Sequence, residues 1–185
     1  MLNVVIWGLT LLTAVLTYAA QPEQNEKDEK ADPLEPLAFL VGEWRGLEEA
    51  RFGKGAGERE YRFILNGRYL LSQNASAFEP QEGLPEGDRH EDWTIFSYDQ
   101  GRHTVVIRQF NSEGFVNRFV LDASSEMPTK MVFLSEASEN SPPGLRARLT
   151  YEKVSDDELH ETFELAMPGE DFGVLVRNRW TRVSR

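Results

Sequence analysis

The stretch WTIFSYDQGRHTVVIRQF, from Trp93 to Phe110, decides the fold. Its two ends, Trp93–Tyr98 and Thr104–Phe110, are rich in β-branched and aromatic residues, and Asp99-Gln100-Gly101 between them is a turn signal. That is the pattern of two antiparallel strands joined by a tight turn. The pattern continues upstream in Trp44–Phe52, Glu58–Leu65 and Tyr69–Phe78. Downstream it continues in Phe115–Leu121, Lys130–Ala137, Arg146–Val154, Leu159–Met167 and Val174–Val183. Turn signals stand at Asn66-Gly67, Ser112-Glu113-Gly114, Ser155-Asp156-Asp157 and Pro168-Gly169, and longer loops cover Pro80–Asp88 and Ser138–Gly144. No stretch holds a helical period long enough for a crossover between parallel strands. An antiparallel meander of about ten strands hides its edges best by closing on itself. The expected fold is therefore all-β, an antiparallel up-and-down barrel over residues 36–185. Pro36–Val41 (PLAFLV) reads as one or two helical turns plugging its start, with Pro36 in the first turn, where its missing N–H is harmless.

Met1–Ala20 carries no charged side chain. It is almost wholly apolar from Val4 and ends in Thr17-Tyr18-Ala19-Ala20. This fits a secretory signal cleaved after Ala19 or Ala20, which places the remainder in the periplasm or outside the cell; an uncleaved anchor is the alternative. Residues 21–35 hold six acidic and two basic side chains, with Leu34 as the only large apolar residue. Such a segment reads as a disordered tether.

The whole chain has 185 residues, 20 Lys+Arg against 31 Asp+Glu, a net charge of −11 and no cysteine. The missing cysteine excludes disulfides, thiolate metal sites, cysteine nucleophiles and cysteine lipidation. The acidic balance argues against nucleic acid and anionic membranes, and no stable membrane partner is expected once the signal is removed.

Strand alternation indicates which side chains face inward. The inward set is Leu159, Phe163, Leu165 and Met167, with Glu161 as a polar exception; Ala147, Leu149 and Tyr151; and Phe115, Asn117, Phe119 and Leu121. Tyr69 shares the parity of Leu71. Thr104–Phe110 is ambiguous, because Val105, Ile107 and Gln109 compete with Val106, Arg108 and Phe110. Ligand pockets are largely apolar with a few placed polar groups. The strand-borne candidates for that role are Tyr69, Arg108, Asn117, Tyr151, Arg177 and Arg179.

The run Phe39-Leu40-Val41-Gly42-Glu43-Trp44-Arg45-Gly46 resembles the L-x-G-x-W-x-G start of lipocalin-like and fatty-acid-binding-protein-like barrels. More narrowly, the chain resembles DUF1579-type proteins and their nitrobindin-like, haem-binding relatives. Ile64–Leu71 (ILNGRYLL), Trp93–Phe110 and the ending ELAMPGEDFGVLVRNRWTRV carry the likeness over roughly Leu37 to Val183. The resemblance implies a barrel of about ten strands around a cavity. Gly42 would turn the chain tightly from helix to strand, and Trp44 would plug the closed end beneath an arginine, Arg179 or Arg182. It also implies that a haem-binding relative would carry its histidine ligand in the region Pro168–Val176. Asp171 and Phe172 stand there instead, and the region has no histidine.

His90, His103 and His160 read as surface residues, and no cofactor is expected. DRHED (Asp88–Asp92) and His160-Glu161 lack the spacing of a metal site and read as solvated. No nucleophile elbow and no convincing Ser–acid–His set is present, so no catalytic residue is assigned. Three functions remain open: a binding module for a small apolar or amphipathic molecule, a structural domain whose interior is filled by its own side chains, and a cavity-based enzyme.

Overall fold

The computed structural model describes residues 32–185; the signal and most of the expected tether lie outside the described residues. A 3-10 helix, Glu35–Leu40, leads into ten strands: β1 Gly42–Ala50, β2 Gly53–Ile64, β3 Tyr69–Phe78, β4 Asp88–Asp99, β5 Thr104–Asn111, β6 Val116–Leu121, β7 Lys130–Glu139, β8 Arg146–Lys153, β9 Glu158–Ala166 and β10 Gly173–Ser184. Each strand pairs antiparallel with its sequence neighbours, and β10 returns to β1, so the sheet is a closed up-and-down barrel. Closure leaves no unpaired edge, as the meander required.

The end of the barrel that holds the 3-10 helix is plugged. Pro36 occupies the first turn of that helix, and Leu37 and Leu40 are fully buried. Leu34, inside the segment expected to be a tether, is 1% exposed and packs in the same core. The barrel's core therefore includes a residue from before position 36, and this one large apolar side chain anchors the turn that precedes the helix. Gly42 has φ +120°, and a Cβ there would lie 2.1 Å from the Ser184 carbonyl oxygen, so the tight turn needs glycine. Trp44 is 1% exposed, and its indole N–H donates to the Leu40 carbonyl at 2.7 Å. Arg182 is the arginine over its ring, 4.1 Å from the centroid. Its guanidinium also donates to the carbonyls of Phe39, Val41 and Asp156. One side chain thus ties the helix, the entry to β1 and the β8–β9 turn together.

Above this plug lies an aromatic layer. Phe96 and Tyr151 rings sit 6.1 Å apart, and Phe133 meets both at 6.1 Å edge-on. Trp180 lies flat across β1 and β2. A Cβ on Gly46 would sit 2.5 Å from its ring and one on Gly57 2.9 Å, so the glycine ending the Gly42–Gly46 motif makes room for a tryptophan near the other end of the chain.

Candidate functional site

The other end of the barrel is open. Between the β1–β2, β3–β4, β5–β6 and β9–β10 connections lies a cavity of about 270 Å³. Its upper wall is apolar, with Phe52, Phe78, Phe115, Phe163, Leu175 and Val176; the Phe52 and Phe78 rings meet at a 59° tilt with centroids 5.1 Å apart. Its lower wall is polar, with Glu48, Arg59, Asn74, Ser76, His90, Asp92, Glu161 and Asn178.

The polar floor is organised around Arg59, which is 7% exposed. Its guanidinium forms a two-pronged ion pair with Glu161 and donates to Asn74 Oδ1 at 3.1 Å and to the Tyr61 hydroxyl at 3.0 Å. The cation also stacks 4.1 Å from the Trp180 ring centroid. Asn178 Nδ2 donates to Glu161 Oε1 at 2.9 Å. Burial works against the charged form of Arg59, yet the Glu161 carboxylate beside it holds its pKa well above the ordinary arginine value. A buried pair so fully hydrogen-bonded has fixed geometry and forms a rigid base for the cavity.

Nearer the mouth, His90 Nδ1 lies 2.8 Å from Glu113 Oε1 and its Nε2 lies 3.4 Å from Asp92 Oδ2. Thr94 Oγ1 donates to Asp92 at 2.8 Å. Burial alone would lower the imidazole's pKa; the hydrogen bonds to Asp92 and Glu113 outweigh it and carry the value from 6.5 to about 9. A histidine with a raised folded-state pKa contributes stability that is complete below its unfolded value and is lost as pH rises through the folded one. We therefore expect the denaturation midpoint of the wild type to fall between pH 6.5 and pH 9. His90→Gln should be flat over that window. Parallel pH curves for the two proteins would refute the assignment.

Several expected positions change. Segment Asp88–Asp92, read as a solvated loop, is the start of β4, because it pairs with Asn74–Phe78 of β3. This turns His90 and Asp92 into the barrel. In β3 the inward set is Leu70, Ser72, Asn74, Ser76 and Phe78, so Tyr69 is on the outer face. Leu71, which suggested its parity, is 5% exposed although it too faces outward, among cross-strand neighbours that include Arg62 and Ile95. In β5, Val105 and Ile107 enter the core and Gln109 lines the cavity, which resolves the ambiguity and puts Arg108 outside, donating to Ser97 Oγ at 3.1 Å. In β10, Arg177 and Arg179 are exposed and the inward residues are Asn178 and Trp180. Asn117 and Tyr151 do face inward, at 3% and 2% exposure. Asn117 is already paired, donating to Gln109 Oε1 at 3.3 Å and accepting from Ser138; Tyr151 belongs to the aromatic layer. None of the six candidates is among the cavity's lining residues.

The residues that do build the floor left two signals in the sequence. Glu161 broke an otherwise apolar inward parity, and Arg59 shares the parity of Tyr61 and Phe63. A larger depression, about 420 Å³, lies on the outer face between Arg45, Glu58, Glu60, Glu91 and Trp93. There Arg45 and Glu58 pair at 3.3 Å in full solvent, and the groove has no enclosed apolar wall. Among the described residues no group of three or more His, Asp and Glu is arranged to hold a metal ion.

No family model matches the chain, and no curated protein matches it. A solved structure does. The chain is similar in fold to Rv2717c from M. tuberculosis. The crystal structure of that protein superposes with a TM-score of 0.62 at 14% identity, covering 83% of this chain and 98% of the other. At that identity the similarity is one of fold.

Proposed function

We propose that this chain is an exported binding module that takes a small, partly apolar molecule into the open end of the barrel, without catalysis and without haem. The observation that carries this reading is the cavity itself: about 270 Å³, walled by phenylalanine and aliphatic side chains above a prearranged polar floor. That volume is near the lower bound of about 300 Å³ for ligand pockets and suits a compact molecule. Both ring nitrogens of His90 are engaged by carboxylates, which leaves neither free for a haem iron. Export rests on the uncharged apolar run Met1–Ala20 and its small-residue end. Membership among DUF1579-type, nitrobindin-like barrels rests on Phe39–Gly46 and on the fold.

The test uses N-phenyl-1-naphthylamine, a neutral apolar fluorophore. Its emission should rise saturably with one site per chain. Val176→Trp, which fills the cavity from β10, should abolish the rise while the protein stays folded by circular dichroism. A rise that is linear in probe, or one that survives Val176→Trp unchanged, would remove the cavity as the binding site.

A further inference from the structure

The cavity's charges are unequally matched. Glu48, Asp88, Asp92, Glu113 and Glu161 line it against Arg59 and His90. Both cations are already engaged, Arg59 by Glu161 and Asn74, His90 by Asp92 and Glu113. Glu48 is left over. It is 5% exposed, and among the described residues the one hydrogen bond to its carboxyl comes from the Ser76 hydroxyl. Directly opposite it across the β1–β10 ladder stands Asn178, 9% exposed, on the same inward face. Asn178 Nδ2 is spent on Glu161, while its Oδ1 is buried with no hydrogen-bond partner. Directly opposed residues in a ladder hold their Cβ atoms about 4.5–5.5 Å apart. Two hydrogen-bond acceptors, one of them a carboxyl, thus stand side by side in a cavity wall with no donor cation of their own.

A buried carboxyl with no cation bonded to it and a buried amide oxygen without a donor are both costly. Natural structures rarely keep such groups without a use for them. We propose that the cavity recognises an amine: a ligand whose ammonium group is held between the Glu48 carboxylate and the Asn178 amide oxygen, with its apolar body against the Phe52 and Phe78 rings. This deepens the binding reading above and rests on it. An ammonium supplies the donors that both acceptors lack. Burial raises the Glu48 carboxyl's pKa, and an adjacent cation favours its ionised form. A carboxylate ligand would meet five acidic side chains with both basic ones already occupied.

The experiment is a calorimetric titration of the full chain near neutral pH with three probes on one ring system: 1-naphthylmethylamine, 1-naphthalenemethanol and 1-naphthoate. We expect the amine to bind about tenfold more tightly than the alcohol, as a charge-assisted hydrogen bond provides, with naphthoate the weakest. In Glu48→Gln, a near-isosteric change that removes the charge, the tenfold preference for the amine over the alcohol should fall to within about twofold. Equal binding of amine and alcohol to the wild type, or an amine preference that survives Glu48→Gln, overturns the amine assignment and leaves the cavity as a binding site. Failure of all three probes overturns both. The ranking of the probes on the wild-type chain decides the charge preference even where the variant does not fold.

Discussion

Glu161→Ala should lower the unfolding free energy by about 3–5 kcal/mol, read from guanidinium denaturation at neutral pH. The change leaves Arg59, 7% exposed, as a buried cation whose carboxylate is gone. It also strips Asn178 Nδ2 of its acceptor. Arg59→Met/Glu161→Leu removes both charges together and should recover most of the loss, because replacing a buried pair by apolar side chains of similar volume is often neutral or better. If Glu161→Ala lost less than about 1 kcal/mol, Arg59 would be reaching solvent, and the floor would not be the buried network that the hydrogen bonds describe. The pair is thus expected to matter for specifying the cavity's shape more than for net stability.

The second large effect is at the plug. Trp44→Ala should cost roughly 3–5 kcal/mol, the range for emptying a buried aromatic site. Three contacts go with the ring: the core around Leu37 and Leu40, the hydrogen bond to the Leu40 carbonyl, and the Arg182 guanidinium stacked above it. Trp44→Phe keeps an aromatic surface for Arg182 and should lose clearly less. Equal losses in the two variants would mean that the indole N–H, and not the filled volume, holds the plug.

These two positions also differ in how far they can be read from sequence. Trp44 is legible because everything that places it is local: the helical turn before it, the glycine two residues earlier and its alternating strand. Glu161 is visible only as an anomaly, a carboxyl on an apolar parity. Its partner Arg59 lies 102 residues away, and nothing near either residue announces the other. The outward placement of Arg177 and Arg179 was illegible for a related reason. Alternation states that they share a face, and only the pairing of β10 with β1 and β9 states that the face is the outer one. Tyr69 shares the parity of Leu71, which is buried on the outer face among its neighbours, so apolarity alone does not mark the inner face.

The sequence by itself determined the number and order of the strands, their antiparallel meander, most turn positions and the helix–Gly42–Trp44 plug. Each of these follows from interactions within a few residues: alternation, turn chemistry and a proline in the first helical turn. Only the tertiary structure decided what the cavity contains. Closing the barrel brings β1 against β10 and sets Glu48 opposite Asn178; pairing Asp88–Asp92 with β3 turns His90 and Asp92 inward. Register, with its period of two, assigns every side chain to one face or the other at once. Which polar groups meet inside is therefore a property of the closed sheet, set when strands distant in sequence come into line.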